Sequence, residues 1–192
     1  DQRLDFYQQP IAGGGPQPLL VFVHGGGFSG GNESIAIGVA QWQDALARGW
    51  SIASIQYRLS PATCDALGQA DHPIYPGQVH DLSLALQFLR QRASAWNLDA
   101  SKIALYGKSA GGCLATWVAL AADHAGLADG VGHGLELSTR ARAVHNGGGP
   151  TDWTYDNPHA PADNDYFGVY PHCAGSVLPT QSTLLEASSF WQ

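Results

Sequence analysis

The chain has 192 residues, 44% hydrophobic and 13% charged, with six Trp, seven Tyr and six Phe; at roughly 150 residues per domain it reads as one domain with ample core, which disfavours disorder and excludes disulfide- or metal-stapled miniature scaffolds. Sixteen Asp and Glu against nine Lys and Arg give a net charge of -7, and without any basic run the composition argues against nucleic acid as a partner. The longest apolar runs, such as LLVFV from Leu19 to Val23, fall far short of the roughly 20 residues of a membrane-spanning helix, so no span is expected.

In chain order, LLVFVH (Leu19 to His24) is a continuous apolar run closed by glycines, which predicts a strand buried on both faces. Past HGGGFSGGN, the segment Ser34 to Arg48 places Ile35, Ile37, Val39, Trp42, Ala45 and Leu46 at mostly helical intervals and stops at Gly49, so it predicts a helix. A strand follows over Trp50 to Tyr57, then a Pro-containing loop to Pro76 and a helix from Gln78 to Ala93, with Leu82, Leu86 and Leu89 on one face. Lys102 to Tyr106 predicts a short strand, AGGCLATWVALAA a small-residue helix, and ARAVHN (Ala141 to Asn146) a last strand. Gly147 to Thr180 is rich in Gly, Pro, Asn and Asp and has little periodicity. Alternating strands and helices without a longer repeat predict an α/β domain with a mostly parallel sheet, whose ligands gather at the C-terminal strand ends.

Two glycine-rich turns fall at such ends. Gly107-Lys108-Ser109-Ala110-Gly111 fits G-x-S-x-G, a sharp strand-to-helix turn that exposes a serine Oγ and requires small neighbours. Ser109 is the candidate nucleophile, and the Ala110 amide, at the start of the helix, is a candidate donor to a developing oxyanion. In HGGGF, Gly26 and Gly27 are further candidate donors, since glycines let the backbone approach a substrate closely. His24 reads as a support of that turn rather than as a base. A phosphate-binding G-x-x-x-x-G-K-[ST] loop is excluded because the position of its first glycine holds Lys102.

Cys64, Cys113 and Cys173 fit no zinc pattern and no paired framework; at least one thiol is free, and a Cys64 to Cys173 bridge has no support beyond the count. His72, His80, His124, His133, His159 and His172 are scattered, so no metal site and no cofactor are expected. The chain begins at Asp1 without a methionine, which leaves both a cytoplasmic and an exported location open. Trp153, Tyr155, Tyr166, Phe167 and Tyr170 are candidates for an aromatic pocket or for core. The sequon Asn32-Glu33-Ser34 reads as incidental.

LDFY, FVHGGGFSGG, RGWSIASIQYRLSP, YPGQVHDLSLALQFLR, WNLDASKIALYGKSAGGCLA and ARAVHN, in this order, closely resemble the α/β-hydrolase fold, specifically esterases of the hormone-sensitive-lipase-like and carboxylesterase-like groups. The resemblance implies that Gly26, Gly27 and Ala110 form an oxyanion hole beside Ser109. It also puts Asp81 at an acidic position, either anchoring its helix to the YRLSP loop or standing as a solvated helix acid. Many hormone-sensitive-lipase-like members have an acidic residue where this chain has Lys108. The family's catalytic acid and histidine follow the serine on later strand ends, past Gln192, so residues 1–192 are expected to be a single, partial hydrolase domain whose C-terminal segment is its natural partner. A displaced pair of His145 and Asp152 is the less simple reading. The function implied is hydrolysis of small or short-chain carboxylic esters through an acyl-enzyme; the rival is a catalytically incomplete module that binds a small molecule in the same pocket.

Overall fold

The structure, a computed structural model, describes residues 2–11, 13–34, 40–60, 73, 75–123 and 137–151. The chain order is β1 (Arg3–Tyr7), β2 (Gln17–Val23), α1 (Ala40–Ala47), β3 (Ser51–Gln56), α2 (Gly77–Arg92), β4 (Leu98–Lys108), α3 (Ala110–Leu120) and β5 (Ala143–Gly147). The five strands form one sheet in the order β1-β3-β2-β4-β5. β2, β3, β4 and β5 run parallel, while β1 pairs antiparallel with β3, from Arg3 opposite Gln56 to Tyr7 opposite Ile52.

The central strands are apolar throughout because both faces are covered, as expected for a parallel sheet. On one face Leu19, Val21, Val23, Ala53, Ile55, Ile103 and Leu105 pack with Leu82, Leu86 and Leu89 of α2 and with Leu114, Trp117 and Val118 of α3. On the other, Ile52 packs with Trp42 and Leu46 of α1, flanked by Leu20, Phe22 and Tyr106. Each large apolar side chain so buried contributes about 1.5–3 kcal/mol relative to exposure. Beneath this core, the Ser51 hydroxyl donates to Gln17 Oε1 (2.7 Å) and accepts from Gln8 Nε2 (3.0 Å), so the polar groups at the start of the strands are paired.

The expected α/β-hydrolase architecture is the one observed, with differences of detail. β1 had no counterpart in the periodicity reading: RLDFY alternates Leu4 and Phe6 with Arg3 and Asp5 over only five residues, and its pairing with β3 makes it a strand. β4 extends beyond Lys102–Tyr106 at both ends; its polar start is held by Leu98 pairing with Gln17 and by Asp99, which accepts from the Ser101 amide (2.9 Å) and hydroxyl (2.6 Å) and pairs with Lys102 (2.9 Å). Those hydrogen bonds, the Ser101 hydroxyl first, pull the Asp99 carboxyl down to a pKa of about 2. The helix predicted over 34–48 is α-helical over Ala40–Ala47; Ser34 is not helical, and 35–39 lie outside the described residues. The last strand is Ala143–Gly147 rather than Ala141 to Asn146, its register set by Ala143 opposite Ala104. Among the described residues no helix is long and apolar enough to cross a membrane.

Candidate active site

Because β2, β4 and β5 run parallel, the turns that leave their C-terminal ends converge: His24 to Gly27 after β2, Ser109 after β4 and Gly148 to Pro150 after β5. Ser109 is exposed and adopts φ 51, ψ -123, directly before α3. A non-glycine residue held in such a conformation stores about 1–3 kcal/mol and persists only where its surroundings fix it.

The two glycines of G-x-S-x-G explain themselves by distance. A Cβ on Gly107 would sit 2.1 Å from the Gly111 carbonyl oxygen, and one on Gly111 would sit 2.1 Å from the Val23 oxygen and 2.3 Å from that of His24. All are backbone atoms, so the turn closes only without side chains. The HGGG segment lies against the same turn: a Cβ on Gly25 would be 2.8 Å from the Lys108 oxygen and 3.2 Å from Ser109 Cβ. The next residues, Gly26, Gly27 and Phe28, have φ of 124, 60 and 66 degrees. Phe28 is 1% exposed, and its carbonyl accepts from the Ser60 amide (2.9 Å), so a buried side chain and a backbone bond hold this unusual run. Ala110 is buried as the first residue of α3, where helix amides lack partners one turn back.

His24 is 5% exposed and committed to structure: its Nδ1–H donates to the Gly25 carbonyl (2.7 Å), its ring stacks on Tyr57 at 4.2 Å, and the Tyr57 hydroxyl donates to the His24 carbonyl (3.1 Å). Burial pushes the His24 pKa below its ordinary value, against the opposing effect of the Gly25 bond, and burial pushes the Tyr57 hydroxyl well above its own. A proton is therefore held less tightly by folded than by unfolded His24, so its contribution to stability is lost as pH falls from about 6.5 toward the lowered pKa. Titration of the His24 imidazole by NMR is expected to give a midpoint below about 6.5; a midpoint at or above that value contradicts this environment.

Asp81, 3% exposed on α2, accepts from the Arg58 amide (2.8 Å), Nε (3.0 Å) and NH2 (2.8 Å), and from the Gln2 side-chain amide. The solvated alternative is thereby excluded: α2 is tied to the loop leaving β3 by a buried carboxylate that Arg58 neutralises. His145 is exposed on β5 and stacks on Tyr106 at 4.9 Å. Asp152, Cys64, Cys173 and the aromatic group from Trp153 to Tyr170 lie outside the described residues. Cys113 is buried and takes part in no disulfide. Among the described residues no cluster of His, Cys, Asp or Glu could hold a metal ion.

Sequence reasoning passed over the turn after β5. The Gly147 carbonyl accepts from the Ser109 amide (3.1 Å), and a Cβ on Gly149 would lie 2.4 Å from the Ser109 oxygen. The run Asn146-Gly147-Gly148-Gly149 at a strand end was the available signal, of the same kind as HGGG.

Known proteins resemble this chain in sequence and in fold. Esterase LipC of Mycobacterium tuberculosis is 31% identical over 122 residues, covering 64% of this chain and 28% of LipC. Acetylcholinesterase of Gallus gallus is 38% identical over 96 residues, covering 49% of this chain and 12% of that protein. The chain thus spans well under two thirds of the curated relatives it matches. In fold it is similar to an acetyl ester-xyloside bifunctional hydrolase from Caldicellulosiruptor lactoaceticus, with a TM-score of 0.71 at 20% identity over 98% of this chain and 60% of that one. The BD-FAE family model matches residues 4–167, which takes in the HGGG turn, the Ser109 turn and the strand after it, so this α/β-hydrolase chain belongs to the BD-FAE family.

Proposed function

We propose that the chain carries the nucleophile of a serine carboxylic-ester hydrolase and forms one partial hydrolase domain over residues 1–192. The observation that supports this best is Ser109, exposed in a strained turn between β4 and α3 with the Gly25 backbone packed on it. In the proposed reaction Ser109 Oγ bonds to the ester carbonyl carbon as its proton passes to a histidine base outside the described residues. The oxyanion accepts from the amides of Gly26, Gly27 and Ala110, each such donor being worth about 2.7–4 kcal/mol in the transition state. The alcohol leaves with the proton, and water then attacks the acyl-serine, releasing the acid and restoring the hydroxyl.

His24 and Asp81 have supporting roles in this scheme: His24 pins the Gly25 carbonyl, and Asp81 holds α2. Small or short-chain esters are the proposed substrates, in keeping with relatives named as esterases. No cofactor takes part. The test is hydrolysis of p-nitrophenyl acetate by the full-length protein and its Ser109→Ala variant.

A further inference from the structure

The turn after β5 is organised by one side chain. Asn146 Oδ1 accepts from the Gly149 amide (2.5 Å), and its Nδ2 donates to the Gly149 carbonyl (3.1 Å), so it pairs with both polar groups of that residue as a neighbouring strand would. The same Nδ2 donates to Thr116 Oγ1 (3.0 Å), and the Thr116 hydroxyl donates to the Gly112 carbonyl (2.8 Å) in the first turn of α3. The loop so closed packs directly against the serine turn. Gly147 O receives the Ser109 amide at 3.1 Å, and Gly149 abuts the Cys113 nitrogen and the Ser109 oxygen so closely that a Cβ would stand 2.2 Å and 2.4 Å from them. The packing is mutual: a Cβ on Gly112 would meet Asn146 Oδ1 at 2.5 Å.

Ser109 cannot keep φ 51, ψ -123 by its own preference, because that conformation is sparsely populated for any side-chain-bearing residue. Something must hold its amide, and that partner is Gly147, whose position depends on the turn that Asn146 closes. We propose that Asn146 is a positioning residue: through Thr116 and Gly147 to Gly149 it clamps the backbone of Ser109 in the conformation that presents Oγ. The proposal rests on the hydrolase reading for its catalytic consequence, while the clamp itself is a property of the fold.

The test uses the full-length protein with Asn146→Ala, Asn146→Asp, Thr116→Val and the Asn146→Ala/Thr116→Val pair. Turnover is normalised to serine titrated by a fluorophosphonate, so that unfolded protein does not count. Misplacing a nucleophile by a fraction of an ångström lowers the chemical step, so kcat per titrated site is expected to fall about 10- to 100-fold in Asn146→Ala, with KM within about threefold of wild type. Asn146→Asp keeps the acceptor for the Gly149 amide and should recover part of that loss. Thr116→Val, nearly isosteric, should lose several-fold, and the pair should lose less than the product of the single effects, because both act on one network. Amide exchange at Ser109 should quicken in Asn146→Ala, a readout independent of turnover. Wild-type kcat per site in both Asn146→Ala and Thr116→Val, or unchanged Ser109 exchange, overturns the clamp. A wild-type protein that takes no fluorophosphonate and hydrolyses no ester overturns the hydrolase reading instead, and the exchange result still decides the clamp.

Discussion

Ser109→Ala is expected to lower kcat/KM of the full-length protein for short-chain esters by about 10⁴-fold or more, equivalent to roughly 5.5 kcal/mol of transition-state stabilisation. The size follows from what the hydroxyl does: without it no acyl-enzyme forms, and only binding and the oxyanion donors still accelerate attack by water. Folding should be unaffected, because Ser109 is exposed, its side chain makes no capping hydrogen bond to α3, and alanine keeps the same Cβ. Steady-state kinetics with p-nitrophenyl acetate, paired with thermal melting, checks both halves. Retention of near wild-type turnover by a folded Ser109→Ala protein would remove Ser109 from the mechanism.

The second large effect is on stability. Gly111→Ala is expected to destabilise the protein by about 3 kcal/mol, at the upper end of ordinary overpacking. Its Cβ would sit 2.1 Å from the Val23 oxygen and 2.3 Å from the His24 oxygen; these backbone atoms have no rotamer to escape into, so α3 must move off the end of β2. The usual gain of about 0.5–1 kcal/mol for replacing a helical glycine by alanine is outweighed by that displacement. For a chain of this size the midpoint should fall by about 6–12 °C. Gly15 is the control: a Cβ there meets nothing within 4 Å, and Gly15→Ala should change stability by less than about 1 kcal/mol. Equal melting of Gly111→Ala and Gly15→Ala would contradict the close approach of α3 to β2.

Ser109→Ala and Gly111→Ala probe residues legible in the sequence, and for a common reason. Glycines at strand ends are needed where backbone approaches backbone, so GKSAG and HGGG mark Gly107, Gly111 and Gly25 before any coordinate is known. The strands from Leu19 and Trp50, and the helices from Gln78 and Ala110, were equally plain, since burial on both sheet faces writes a continuous apolar run and burial of one helix face writes a helical period into the sequence. Tertiary partners write none. RLDFY is a strand only because β3 offers an edge, and Asp81 is a buried ion-pair partner only because Arg58, 23 residues earlier, reaches it. Asn146 looks like any polar residue in a glycine-rich loop; its importance lies in Thr116, 30 residues away, and in the Ser109 amide that its turn captures through Gly147. The Ser34–Arg48 helix was drawn too long at its start, since Ser34 is not helical.

The hydrolase account turns on Ser109 being an activated nucleophile. The most direct measurement is the intact mass of the full-length protein after incubation with a fluorophosphonate, for wild type and Ser109→Ala. The account predicts a single adduct on the wild-type protein, located on the peptide that contains Ser109, and none on the variant. An unmodified wild type, or an adduct that survives Ser109→Ala, would contradict it.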